Sequence, residues 1–215
     1  MAIRPIRILG EPGDDVLRQP GERIECIDGS LQRLIDDMIE TMRDAPGVGL
    51  AAPQIGIALR LVVIEVPEVP AFALINPEVV RTTGQRWIEE GCLSIPGYRG
   101  DLFRSVKVTV KGLDRQGRRV RIRAADDLLA QALEHEIDHT NGLLYVDLLG
   151  GTEHLHRIDL DEAEEEEAPP ADEPDAEQRP SAPRRRRGQA PLVYVARHRL
   201  RGRAGAAGPR SPRRR

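Results

Sequence analysis

Cysteine is nearly missing from this sequence: Cys26 and Cys92 are the only two in 215 residues. Two thiols make no disulfide framework, which argues against a small stapled extracellular scaffold and points to a reducing compartment. Long apolar runs are also missing, so nothing approaches the length needed to cross a bilayer. The opening stretch MAIRPIRILGEPGDD has no apolar h-region and no small-residue cleavage site, so no signal peptide is expected. Aromatic residues are scarce, at one Trp, three Tyr and two Phe. Apolar content as a whole is an ordinary 40%, and the length suffices for one domain with a core and something left over. A soluble cytoplasmic protein is expected.

The formal net charge of −3 conceals an uneven distribution. Residues 1–157 carry 19 basic and 24 acidic side chains. Residues 158–178 carry 11 acidic and no basic ones, and residues 179–215 carry 13 basic and no acidic ones. Each segment therefore presents its own charge to a partner. Residues 1–160 are expected to form the folded domain. Residues 161–215, acidic and then rich in proline and arginine, lack the apolar surface that would offset chain entropy and are expected to be disordered. APLVYVARHRL near the end is a short apolar island within that tail.

Periodicity outlines the folded part. SLQRLIDDMIETMRDAPG places Leu31, Leu34, Ile35, Met38, Ile39 and Met42 at helical spacing, with Ser30 as the expected N-cap and Pro46 and Gly47 as the stop. LRLVVIEV reads as a buried strand. SVKVTVKGLDRQGRRVRIRA reads as a hairpin turning near Asp114, Gln116 and Gly117. Asp126 and Asp127 open a second helix that carries Leu128, Leu129, Ala132 and Leu133 and stops near Gly142. Strands with two separated helices indicate an α+β fold: small mixed or antiparallel β-sheets packed around a central helix.

That second helix contains HEIDH. Residues four apart share a helix face, so His135 and His139 can both turn a ring nitrogen to one ion while Glu136 stands beside them as a proton carrier. The motif is short, and an exposed helix with scattered polar residues would produce it too. A catalytic metal site needs a third protein ligand. One candidate lies downstream, Glu153 or Glu162, as in endopeptidases of the H-E-x-x-H type. The other lies upstream, Cys92 in EEGCLSIPG, whose thiolate suits a soft or borderline metal. A buried, inert thiol is the commoner fate of a free cysteine. A third stretch, GVGLAAPQIG, combines glycines that permit close approach with the uncharged hydrogen-bonding side chain of Gln54.

Taken together, GVGLAAPQ, EGCLS and HEIDH resemble the peptide deformylase family in type, order and approximate spacing, over roughly the first 155 residues. The resemblance implies a metallohydrolase that removes the formyl group from the N-terminal formyl-methionine of newly made polypeptides and releases formate. It implies one divalent metal held by Cys92, His135 and His139 with a water in the fourth position. Iron(II) is the expected metal, with zinc, nickel and cobalt as alternatives. Glu136 would take a proton from that water and pass it to the leaving amine, while Gln54 and the Leu93 backbone N–H would stabilise the developing oxyanion. Val48, Ile88 and Leu128 would line the methionine pocket. Gly49, within the 47–49 segment, and the 95–97 segment would pair with substrate in strand fashion, and Arg99 would hold the peptide further along. Gln131 stands where an apolar wall residue is familiar, and either alters the pocket or faces elsewhere. Glu90 and Arg104 resemble the family's supporting ion pair.

The tail departs from the family pattern. Its PRRRRG and terminal PRRR stretches raise the idea of salt-sensitive contact with ribosomal RNA near the emerging substrate. An inert solubilising tail is the simpler reading.

Overall fold

The computed structural model describes residues 2–125 and 127–158. The charged tail and the APLVYVARHRL island lie outside the described residues, as does Asp126. Among the described residues no helix is long and apolar enough to cross a membrane.

Among the described residues, two antiparallel sheets and two α-helices make up the fold, as the α+β expectation required. The larger sheet has five strands: β1 (Gly49–Ala51), β2 (Leu61–Val66), β3 (Val69–Thr83), β6 (Lys107–Leu113) and β7 (Arg119–Ala125), in the order β1-β2-β3-β6-β7. The smaller sheet pairs β4 (Arg86–Gly91) with β5 (Tyr98–Arg104), and β5 with β8 (Leu155–Arg157). Helix α1 spans Gly29–Asp44 and helix α2 spans Leu128–Thr140.

The apolar run at residues 61–64 of β2 has a direct cause. Val62, Ile64 and Val66 face a core shared with α2, while Leu61 and Val63 face a second core under α1. A strand covered on both sides has no polar face to alternate with. β6 and β7 alternate more cleanly. Val108, Val110, Ile122 and Ala124 pack toward α2, and the residues between them point away.

β3 is longer than its sequence suggests, because Pro70 and Pro77 discourage a central strand. It bends at Asn76, which adopts φ +50° and is buried. The Asn76 side chain accepts from Ile24 N–H and donates to Ile24 C=O, both at 2.9 Å, replacing ladder bonds lost at the bend. The expected cap of α1 also shifts. Asp28, not Ser30, is the N-cap, its carboxylate accepting from the Ser30 and Leu31 N–H groups. Ser30 is already helical and donates its hydroxyl to the same carboxylate. Asp127 caps α2 as expected, accepting from Ala130 N–H at 2.7 Å.

Candidate metal centre

The inward face of α2 is polar where a helix of this kind is usually apolar. His135, Glu136, His139 and Thr140 are all buried. Across from them, at the end of β4, the chain makes a tight turn closed by Ile95 N–H to Cys92 C=O at 2.9 Å. This turn presents the Cys92 thiol to the helix. His139 Nε2 lies 3.3 Å from Cys92 Sγ and 3.2 Å from His135 Nε2, and the three ligand atoms lie within 4.8 Å of one another.

The ring orientations suit a cation. Glu90 faces His135 Nδ1 and receives two bonds from Arg104, at 2.9 Å from Nε and 2.7 Å from Nη2. Burial alone would raise the Glu90 carboxyl, but the hydrogen bonds of Arg104 and His135 outweigh it and hold it at about 2. An ionised carboxylate can only accept, so His135 Nδ1 carries a proton toward Glu90 and turns Nε2 to the cluster. Burial lowers this imidazole, but the bonds of Cys92 and Glu90 outweigh it and hold it well above the ordinary histidine range, so a cation at Nε2 would displace a proton there. Arg104 also reaches Asp138, the fourth residue of HEIDH, which ties the small sheet to α2 at a second point. Burial pushes His139 well below the ordinary histidine range, the form that keeps a lone pair free. A tetrahedral ion with bonds of about 2.0–2.3 Å separates its ligand atoms by roughly 3.3–3.8 Å. The two short separations here are close to that spacing, so the donor set fits a metal of the zinc or iron kind.

Glu136 differs from its neighbours. Its Oε2 is buried without a hydrogen-bond partner. Burial pushes its carboxyl up to about 7, with His135 opposing and Glu90 adding. Space for it comes from Gly49, where a Cβ would collide with the Glu136 carboxylate. Gly47 is constrained in the same way, since a Cβ there would lie 2.8 Å from Leu93 Cδ1. The two glycines of GVG thus let one loop close over both Glu136 and the Cys92 turn.

Gln54 completes the polar wall. Ala51 N–H donates to its Oε1 at 2.8 Å, which forces its Nε2 toward Ser94 Oγ at 3.3 Å and Cys92 Sγ at 3.6 Å. The N-terminal segment fixes both loops from behind. Arg7 N–H bonds to Gln54 C=O at 2.7 Å, and Leu9 N–H bonds to Ser94 C=O at 2.9 Å.

The remaining expected residues are spread around this centre. Val48 and Leu128 are each 40% exposed, and Ile88 is half-buried on β4. Arg99 is half-exposed and pairs with Glu89 at 2.8 Å. Gln131 donates to Glu89 C=O at 3.3 Å, so its amide is turned to the β4 backbone. Glu153, the downstream ligand candidate, is exposed beside His154 and outside the Cys92–His135–His139 group. Glu162 lies outside the described residues. Sequence reading missed Ser94, which donates its N–H to Cys92 Sγ at 3.4 Å, and Asp138. Both sit inside the quoted motifs, and their polar side chains at otherwise buried positions were the available signal. Tyr145, whose ring stacks on His135, left no such signal.

The family model described as Polypeptide deformylase matches residues 3–154. A peptide deformylase of Dehalococcoides mccartyi strain CBDB1 is 54% identical over 168 residues, covering 78% of this chain and 98% of that protein. The crystal structure of a peptide deformylase from Legionella pneumophila is 48% identical, with a TM-score of 0.67 over 71% of this chain and 89% of that one. A peptide deformylase from Synechococcus elongatus in complex with actinonin is 42% identical, with a TM-score of 0.66 over 76% of this chain and 85% of that one.

Proposed function

This chain belongs to the polypeptide deformylase family, and on that premise we propose that Cys92, His135 and His139 hold one divalent cation, iron(II) first among the candidates, with Glu136 as the proton carrier of deformylation. The chain is a hydrolase of the peptide deformylase type, which removes the formyl group from new polypeptides. The observation carrying the residue assignment is the convergence of Cys92 Sγ, His135 Nε2 and His139 Nε2 beside the unpartnered Glu136 Oε2. The alternatives to iron are zinc, nickel and cobalt, since a Cys-His-His set suits several of these metals. When bound, the ion supplies Lewis acidity, polarising a carbonyl and lowering the pKa of a water.

The chain's own groups do the rest. Glu136 takes a proton at its buried carboxylate from the attacking water and returns it to the leaving amine. A carboxyl near neutrality suits both directions of transfer. Gln54 Nε2, already oriented by Ala51, and the Leu93 N–H face the charge that develops on the formyl oxygen. Loss of one such donor raises a barrier by about 2.7–4 kcal/mol. Val48, Ile88 and Leu128 contact the methionine side chain of an N-formyl-methionyl nascent peptide. β1 is an end strand of its sheet, so the edge that begins at Gly49 is open to an added strand of substrate, with the 95–97 backbone opposite. Arg99 lies further along that path. This work is assigned to residues 1–160 and, given its substrate, to the cytoplasm.

Formate release from a short formyl-methionyl peptide tests the assignment. The protein is prepared without oxygen, loaded with iron or nickel, and compared with Cys92→Ser and Glu136→Ala. Metal-dependent release that is lost in both variants supports the roles. Release that persists in Cys92→Ser with its metal still bound would overturn the ligand set.

A further inference from the structure

The face of the large sheet opposite α2 is covered by α1 at one end only. Ile75 and Leu113, paired across β3 and β6, belong to the core under α1. Further along the same strands the face is open and basic. A groove of about 530 Å³ is lined there by Arg81 and Thr83 of β3, Lys107 and Thr109 of β6, and Arg121 and Arg123 of β7. The register sets them side by side. Arg81 is opposite Thr109, which is opposite Arg123, while Thr83 is opposite Lys107 and Lys111 is opposite Arg121. Lys111 pairs with Glu78 at 2.8 Å. Arg81, Lys107, Arg121 and Arg123 have no carboxylate partner among the described residues.

We propose that this face binds the phosphate backbone of a single-stranded nucleic acid. Cations recurring every second residue on neighbouring strands form a lattice with steps of roughly 5–7 Å. That is the same order as the spacing of successive phosphates along a strand. Three of the four unpaired cations are arginines, whose forked donors suit phosphate oxygens, and the two threonines add hydroxyl donors between them. A second observation separates a nucleic acid from an acidic peptide. β3 leads into β4 after Gly84 and Gln85, and β5 leads into β6 after Ser105 and Val106. On those continuations Trp87 and Phe103 are paired, 47% and 59% exposed, with rings 4.5 Å apart. Exposed aromatics on the strands that continue a cationic track offer stacking surface to bases. Charge on an edge strand such as β7 also discourages strand-to-strand aggregation. That need is met by β7 alone and leaves the unpaired cations of β3 and β6 unexplained.

The chain contains two lysines, Lys107 and Lys111, and both stand on this face. Amine-reactive footprinting of the full chain, read by mass spectrometry, therefore reports on the site despite the arginine-rich tail. The probe is a 12-nucleotide single-stranded RNA of mixed sequence, with a polyglutamate of similar charge as control. The expected result is at least threefold slower labelling of Lys107 with RNA at low salt and little effect of polyglutamate. Raised salt should reverse the protection, because counterion release drives this binding. The Arg121→Ser/Arg123→Ser variant should lose the protection and keep formate release from a short formylated peptide. RNA that binds without slowing Lys107 labelling would overturn the proposal and assign binding to the tail. So would a Lys107 already protected without RNA and released by deleting residues 159–178, because the chain's own acidic segment would then hold the face.

Discussion

The buried apolar residues of α1 are Leu31, Ile35, Met38 and Met42, whereas the buried residues of α2 include His135, Glu136 and His139. Both helices begin with an aspartate cap and both pack on the same five-stranded sheet, from opposite faces. What differs is how each buried polar group is satisfied. On α1, the buried Asp37 is bound by Arg4 and by the Ala2 N–H, and the Thr41 hydroxyl returns to its own helix at Asp37 C=O. On α2, Glu136 Oε2 and His139 Nδ1 are buried and unpartnered. A helix that only has to pack satisfies its polar atoms. One that has to react keeps some of them open.

The sharpest way to break this comparison is Glu136→Gln. The substitution preserves shape and removes the proton carrier, and kcat/KM for formate release should fall by about a hundred- to ten-thousand-fold with little change in Tm. Activity within a few-fold of the parent would make Glu136 a packing residue like those of α1. Met38→Ala asks the converse of α1. Urea unfolding should show a loss of about 2–5 kcal/mol, because a fully buried side chain leaves a cavity, while activity per folded molecule is retained. Glu90→Gln is smaller and more specific. It turns a carboxylate that accepts from both Arg104 and His135 into an amide with one acceptor oxygen, weakening the hold on the His135 proton at Nδ1, and competition against a chelator should show metal affinity reduced about 10–100-fold. The smallest effect belongs to the α1 cap. Hydrogen bonding from Ser30 and the Leu31 N–H holds Asp28 below its ordinary carboxylate value of 3.8. Its contribution to stability is complete above that value and is lost as pH falls through the lowered folded value. Asp28→Asn should therefore be slightly less stable than the parent near neutrality, with the Tm gap closing as the solution is acidified.

The two helices also differ in how much of them was legible. α1 announces itself by an apolar residue every three or four positions, and its end by Pro46 and Gly47. Only its start was displaced, because Asp28 and Ser30 both suit a cap and the closer hydrogen-bond geometry decided between them. α2 has a weaker apolar pattern, and its meaning came from the types and spacing of His135, Glu136 and His139. Position 92 was harder, since nothing local separates a ligand thiol from an inert buried one. The conjunction with GVGLAAPQ and the family resemblance carried that residue. β3 escaped because Pro70 and Pro77 interrupt a strand whose bend is repaired from outside by Ile24. Such long-range repair cannot be read along the chain. The basic groove was hidden for the same reason, because Arg81, Lys107 and Arg123 meet only through strand register.

The straps from Arg7 to Gln54 and from Leu9 to Ser94 have a consequence for how the protein comes into being. They join residues near the start of the chain to two loops in its middle, and those loops face the proposed ligands at positions 135 and 139. Contacts so far apart in sequence are costly to close and form late. No N-terminal fragment that stops short of His139 contains a complete centre, however well its α1 and β2 have folded. An enzyme for emerging polypeptides is thus itself idle through most of its own emergence, and Arg7 and Leu9 wait for α2 before they have a site to brace.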